Sequence, residues 1–429
     1  MRREQAHPTR VRRDAKTRAV FGGPRSPRQA VAEIIAQIRR RGDAGLAAWT
    51  RRLEGWSPPP GGHAVSQARL RGARRRIPDS LRGDLERCAA NIRAFHRAQL
   101  PLRRAQRLRP GVRVEERILP LDRVGVYVPG GRAPLVSTVL MNALPAAAAG
   151  VEDIVMATPP TSDGDVPDAV LAAASIAGVR TVYRMGGAAA VAALAYGTPS
   201  IPRVDKIVGP GNVFVTEAKR QVFGDVGIDS LAGPSEILIL ADAAADPEVV
   251  AWDLLAQGEH GSGATALLMS PSSTLLDHVE AAARSLARAH PVLQGAVRAC
   301  ALVRVRSLGE GARLAEDYAP EHLSLQIASP RVWLARIRHA GAAFLGTETP
   351  QAMGDYAAGT NHVLPTGGTA RWWSPLSARD FVRITGVVRY TTRGVRAEGA
   401  AAAGVAAAEG LTAHGESIRV RLREDRRRR

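Results

Sequence analysis

VGVYVPGGRAPLVSTVLMNALPAAAAGVEDIVMAT, residues 124–158, reads as strand, glycine turn, helix and strand. Residues 124–128 form a short apolar run of the kind that parallel sheets bury on both faces, and Pro129-Gly130-Gly131 breaks it. The stretch 135–149, rich in alanine and leucine, is long enough for a helix, and 153–157 supplies the next strand. Onward the alternation continues as helix 167–177, strand 181–184, alanine-rich helix 187–196 and strand 205–208. Repeated βα units call for a parallel sheet covered by helices on both faces.

The pattern then restarts. Residues 236–240, 265–269, 302–305, 323–327 and 342–345 read as strands, with helical segments at 247–257 and 275–289 among the connections. Two successive α/β units of similar build are therefore expected. Before Val124 the chain reads as mostly helical, over 28–52 and 80–99. Beyond Ser377 it reads as helical or irregular, with an Ala/Gly-rich stretch at 399–410. That last piece has too few large apolar residues to fold alone and is expected to pack on another surface, such as a second subunit.

A chain of 429 residues with 45% apolar and 23% charged residues has the composition of a soluble globular protein. No run approaches the ~18 consecutive apolar residues of a membrane span. The two cysteines, Cys88 and Cys300, make neither a disulfide framework nor a metal-type spacing, which fits a reducing, cytoplasmic setting. The formal charge of +19 comes almost wholly from arginine, since lysine occurs only at Lys16, Lys206 and Lys219. With 4% aromatic residues the chain lacks stacking platforms, so the charge reads as compositional bias and nucleic acid is not the expected partner. The Arg-rich first residues read as an N-terminal arm and Arg426 to Arg429 as a frayed tail.

Three glycine loops follow successive strands of the first unit: Val128-Pro129-Gly130-Gly131, Met185-Gly186-Gly187 and Gly209-Pro210-Gly211-Asn212. Each lets backbone N–H groups approach a pyrophosphate at a helix N-terminus, so together they suggest a dinucleotide site, although none is a full G-x-G-x-x-G. Among ten histidines, His96, His278, His290 and His339 sit in helical segments where surface placement is the default, as it is for His7 and His63. His260, His322, His362 and His414 are placed differently. Glu321 and His322 are adjacent after Pro320, and neighbours in a strand face opposite sides, so both reach one substrate only from a strand end. Gln257 and His260 stand three apart, while Asp355 precedes His362. Histidines with an aspartate and an amide oxygen make an N/O set suited to zinc.

Longer motifs narrow the reading. VGVYVPGGRA (124–133), GPGNVFVTEAKRQV (209–222), LAGPSEI (231–237), DLLAQGEH (253–260), APEHL (319–323) and GDYAAGTNHVLP (354–365) occur in that order, followed by residues 367–371 and Ser374-Pro375-Leu376. In these the chain resembles the histidinol dehydrogenase family, over nearly everything from about Ser26 to Val420.

The resemblance implies an α/β fold of two Rossmann-like parallel-sheet domains with a helical N-terminal arm and a small C-terminal dimerisation segment. The division it suggests is 1–25 as the arm, 26–122 with 238–376 as one discontinuous domain, 123–237 as the NAD-binding domain, and 377–429 as a segment packing on the partner subunit. It implies zinc-dependent oxidation of L-histidinol through L-histidinal to L-histidine with two NAD, the final step of histidine biosynthesis. One Zn2+ per subunit would be held by Gln257, His260, Asp355 and His414, with Glu321 and His322 as acid/base pair. Ser235, His362 and Glu409 would bind substrate alongside the metal ligands and His322. Tyr127, Ala189 and Asn212 would lie at the cofactor, Ala189 standing where the family carries a glutamine. Glu409 and His414 would serve the neighbouring subunit of a homodimer. Rival readings are a related zinc dehydrogenase for another small alcohol, such as a sulfonated diol, and a silent binding protein on this scaffold. Against the silent protein stands the presence of every metal and acid/base residue, and against the diol enzyme the trio Glu409, His414 and His362.

Overall fold

In chain order the strands are β1 (Ala105–Arg109), β2 (Val112–Pro120), β3 (Arg123–Tyr127), β4 (Asp153–Thr158), β5 (Thr181–Arg184), β6 (Lys206–Val208), β7 (Gly227–Ile228), β8 (Glu236–Ala241), β9 (Thr265–Ser270), β10 (Cys300–Arg304), β11 (His322–Gln326), β12 (Ala342–Leu345) and β13 (Val382–Tyr390). The structure is a computed structural model and describes residues 21, 23, 25–59, 62–102, 105–130, 133–261 and 263–423. The N-terminal arm, apart from its last few residues, and the terminal arginines lie outside the described residues, as does Gly131 of the first glycine loop.

Two parallel sheets hold the fold. One runs β5-β4-β3-β6-β7 and the other β10-β9-β8-β11-β12, so each places its first strand third and reverses direction of assembly beside it. That point of reversal opens a crevice between the loops leaving neighbouring strands. Glycines at Gly150 and Gly178 end the helices Val136–Ala149 and Asp168–Ala177 in left-handed conformation, which lets each short connection turn back into the sheet. All six residues of β8 are buried, as expected of a strand covered on both faces.

The chain divides into two compact units. One comprises the described residues up to Gln99 together with Asp122–Phe381, and holds both parallel sheets. The other comprises Leu100–Leu121 and the chain from Val382 onward. In this second unit β1, β2 and β13 pair antiparallel, with β2 and β13 in register from Val112↔Tyr390 to Pro120↔Val382. Helices Thr392–Ala408 and Thr412–Arg423 pack on each other there, with Gly399 leaving room for Ile418 and Leu422. These strands replace the helical or irregular chain expected before Val124 and after Ser377. The cause is visible in VRVEERILP and VRITGVVRY, where the polar run Glu115-Glu116-Arg117 and the sequence Gly386-Val387-Val388 interrupt the strict alternation that marks a half-buried strand.

The helix Pro27–Glu54 starts at a capping box of Ser26 and Gln29, carries Pro27 at its first position and breaks its helical conformation at Gly42. Its residues Val31, Ile34, Ile38, Leu46 and Trp49 share one core with the alanine-rich helix Gly187–Tyr196. The N-terminal helices thus pack against the β3–β7 sheet, whereas the sequence groups them with the later one. Small side chains decide this, because six alanines on Gly187–Tyr196 allow close approach. Two histidines expected at the surface are buried. His96 continues the core face Leu85, Ala89, Ile92 of helix Asp79–Ala98, and His63 Nε2 lies 3.1 Å from the Thr50 hydroxyl. Cys88 and Cys300 are free thiols, and burial pushes Cys300 up to about 11. No described helix is long and apolar enough to cross a membrane.

Candidate active site

A cavity of about 660 Å³ opens at the carboxyl ends of β3, β4, β5 and β6, lined in part by Tyr127, Gly130, Gly187, Ala188 and Asn212. Gly209, at the end of β6, has φ +119° and a Cβ there would collide with the Tyr127 carbonyl, so only glycine fits. A buried pair of Lys219 and Asp229 holds this glycine from both sides: Lys219 Nζ donates to its carbonyl at 3.1 Å and Asp229 Oδ2 accepts from its N–H at 2.7 Å. Asn212 follows on the same loop and caps helix Val213–Val222, its Oδ1 accepting from the N–H groups of Phe214 and Val215. Asn212 also lines the cavity, and the cap bonds engage only its amide oxygen. Tyr127 Oη accepts from Gly187 N–H at 3.1 Å, and burial pushes the phenol up to about 12. Ala189 does not line the cavity. It is 1% exposed in the core, and the adjoining Ala188 lines the wall instead.

The second cluster sits at the opposite end of its sheet, where β8 and β11 begin. Helix Pro247–Gly258, capped by Asp246, follows β8 and runs back antiparallel to it, so its last turn returns Gln257 and His260 to the strand starts. Ala319 is in left-handed conformation (φ 52°) and Pro320 follows, so Glu321 stands just before the ladder and His322 is the first residue of β11. Both side chains can then face one space, as the sequence requires. Gly341 makes room for this turn: its N–H donates to the Pro320 carbonyl at 2.9 Å, and a Cβ would stand 2.6 Å from the Glu321 carbonyl oxygen.

Hydrogen bonds order the cluster. Gln257 Nε2 donates to Ser235 Oγ (2.9 Å), which donates to Glu321 Oε2 (2.7 Å), and the Glu236 N–H donates to the same oxygen (2.8 Å). Burial raises the Glu321 carboxyl to about 8; the bonds from Ser235 and Glu236 oppose that rise, while the charges of Glu236 and Asp355 add to it. His322 Nδ1 lies 3.0 Å from the Glu236 carbonyl, His260 Nδ1 3.2 Å from the Gln257 carbonyl, and His362 Nδ1 3.2 Å from the Asp355 carbonyl. A carbonyl only accepts, so each Nδ1 carries the proton and each Nε2 presents a lone pair. Burial lowers His322 and His362 to about 4, which keeps both neutral near pH 7. His322 Nε2 is buried without a hydrogen bond, 3.9 Å from Asp355 Oδ1.

The first unit therefore brings together Ser235, Gln257, His260, Glu321, His322, Asp355 and His362. Glu409 and His414 belong to the second unit, at and beyond the end of helix Thr392–Ala408. Among the described residues no three His, Cys, Asp and Glu side chains gather closely enough to hold a metal by themselves. Gln257 supplies a donor outside those types: its Oε1 is buried without a partner, because Nε2 is committed to Ser235. An orphaned buried amide oxygen on Gln257, with His260 three residues on and the Asp355 carboxylate within electrostatic reach of His260, suits an N/O metal shell.

Two supporting residues escape the sequence reading. Glu236 accepts from Glu321 N–H, Gly367 N–H and Tyr318 Oη, tying three segments behind the acid/base pair. A carboxylate opening the otherwise apolar strand EILILA is the signal that marks it. Gln351 donates to Asp355 Oδ2 at 3.3 Å from one helical turn earlier.

The family model for histidinol dehydrogenase matches residues 24–422. A histidinol dehydrogenase of Pseudomonas fluorescens is 45% identical over 408 residues, covering 93% of this chain and 91% of the relative. One from Synechococcus sp. is 46% identical over 395 residues, covering 91% of each. The crystal structure of histidinol dehydrogenase from Elizabethkingia anophelis superposes with a TM-score of 0.90 at 33% identity, covering 95% of this chain and 96% of that one. With the strand order, the glycine loops and the Glu-His strand start already in place, these matches show that the chain belongs to the histidinol dehydrogenase family.

Proposed function

We propose that this protein oxidises L-histidinol through L-histidinal to L-histidine with two NAD, as the final step of histidine biosynthesis in the cytoplasm, and that it does so as a zinc-dependent homodimer. The observation that carries the reading is the Gln257 amide oxygen, buried and unpartnered next to the Ser235–Glu321 hydrogen-bond chain. Gln257, His260 and Asp355, with His414 of the partner subunit, would hold one zinc, which supplies an anchor for an imidazole and an amine and so orients the alcohol carbon. NAD, in the cavity bounded by Tyr127 and Asn212, supplies the hydride acceptor.

The chain's own residues handle protons and position. His322 is held by its Nδ1–H on the Glu236 carbonyl, so its Nε2 receives the hydroxyl proton as the carbinol hydrogen departs as hydride. Glu321, fixed by Ser235 and the Glu236 N–H, takes a proton from the water that attacks the aldehyde carbon when it is ionised, the form that a carboxyl raised to about 8 reaches as pH rises toward that value. Ser235, His362 and Glu409 bind substrate. Purified protein with histidinol should produce two NADH per substrate, and a chelated control none. NADH formation from a sulfonated diol but not from histidinol would overturn the reading.

A further inference from the structure

Glu54 is the one charged side chain among the described residues lining the cavity at the carboxyl edge of the β3–β7 sheet. It is the last residue of helix Pro27–Glu54, after which Gly55 turns the chain in left-handed conformation. The packing of that helix on Gly187–Tyr196 delivers the carboxylate to the ends of β4 and β5: a Cβ built on Gly186 would collide with both Glu54 Oε1 and the Pro159 ring. Glu54 does not cap the neighbouring helix, whose first N–H, that of Gly187, donates to Tyr127 Oη instead. Nor does it pair with any described residue, and burial alone moves its carboxyl upward. A half-buried carboxylate without a partner is costly, and a ligand that donates to it removes the cost.

In a sheet of this strand order a dinucleotide lies across the strand ends with its adenosine half over the first two strands. A carboxylate at the end of the second strand commonly accepts from the ribose 2′-hydroxyl. Here the second strand, β4, runs out into Pro159-Pro160-Thr161, and the first carboxylate beyond it, Asp163, is exposed, accepts from the Thr161 hydroxyl and does not line the cavity. Glu54 stands at that place, brought by a helix from outside the βα repeat. We propose that Glu54 binds the 2′-hydroxyl of the adenosine ribose and sets the preference for NAD over NADP. A 2′-phosphate there would meet a carboxylate, with no basic side chain among the described lining residues to balance it.

The inference rests on the cavity being the dinucleotide site, and its test separates the two. Wild type, Glu54→Gln and Glu54→Ala are titrated by calorimetry with NAD, 2′-deoxy-NAD and NADP, and folding is checked by circular dichroism. Wild type should bind NAD at least about tenfold more tightly than 2′-deoxy-NAD and more than about a hundredfold more tightly than NADP. Both variants should lose most of each preference, chiefly through weaker NAD binding in the first case and improved NADP binding in the second. Folded Glu54 variants that keep both preferences would overturn the role of Glu54. Asn212→Asp, which keeps the helix cap but replaces the amide donor of a cavity-lining residue with a charge, should weaken NAD at least about tenfold. Unchanged NAD affinity in that variant would instead remove the dinucleotide from this cavity, and the inference with it.

Discussion

Glu321 and His322 show how one peptide unit can carry two roles. Their adjacency would separate them in a regular strand, yet the left-handed Ala319 and Pro320 place Glu321 outside the ladder while His322 begins it. Different hydrogen bonds then specialise them, a carboxylate held by two donors and an imidazole whose Nδ1 is tied to a carbonyl. Glu321→Gln should therefore damage histidinal oxidation more than histidinol oxidation, because only the second half-reaction needs water activated. His322→Asn should impair both. Separate assays with the alcohol and the aldehyde decide this, and equal losses on both substrates in Glu321→Gln would contradict the division. Behind the pair, Gly341→Ala forces a methyl against the Glu321 carbonyl, an atom that cannot swing away. About 1–3 kcal/mol of stability should be lost. The turnover number should fall on the order of a hundredfold, since a displacement near 1 Å suffices for that. Wild-type turnover and melting temperature in this variant would show that the turn is not held as described.

Helix Pro247–Gly258 is the element on which the second cluster hangs. It begins at an Asp246 cap and carries Gln257 in its last turn, and in between it buries Asp253, whose Oδ2 accepts from Gln326 Nε2 at 3.2 Å. Burial raises the Asp253 carboxyl to about 6, with the Gln326 bond opposing the rise. The sign follows from proton counting: between the ordinary aspartate range near 4 and about 6, the unfolded chain has released this proton and the folded one has kept it. Stability from this group is thus full below that window and lost as pH rises through it, by at most about 3 kcal/mol above pH 6. Asp253→Asn keeps an acceptor for Gln326 and removes the titration. Urea unfolding from pH 4 to pH 7 should show the variant gaining on wild type as pH rises, and parallel curves would refute the assignment. Across the molecule the glycine loop after β6 is secured differently, by the buried Lys219–Asp229 pair gripping Gly209. Removal of either partner would leave a charge buried and unpaired.

Charge says little about partners here, because +19 arises from arginine spread along the chain. Assembly says more. The second unit carries an exposed β13, with Ile384, Val388 and Tyr390 each at least 41% exposed, and a pair of helices poor in large side chains. If His414 serves the partner's metal site in a homodimer, each site draws on both chains. Homodimers of His414→Ala and of His322→Ala should each be dead. In a mixed dimer the subunit with intact His322 receives intact His414 from its partner, so one site of two is whole. Unfolding and refolding the two inactive variants together should restore activity, each heterodimer reaching about half the wild-type value. No recovery, with heterodimers confirmed by native mass spectrometry, would place His414 in the site of its own subunit.

The two parallel sheets were legible in the amino-acid order because a doubly covered strand must be a short apolar run, and ten such strands punctuated by glycine leave few topologies. Of these only β7, two residues long, went unread. The candidate cluster was legible through its motifs, whose residue types carry their chemistry locally. Other features depend on contacts between distant segments, which no local pattern records. β2 and β13 are stable because they pair across more than 260 residues, not because either alternates cleanly. His63 and His96 are buried by what packs over them. Glu236, Gln351 and Glu54 acquire roles only when folding sets them beside Glu321, Asp355 and the ends of β4 and β5. Local propensity and periodicity chose the elements, and side-chain packing between them chose which polar groups would be desolvated and so made chemically useful.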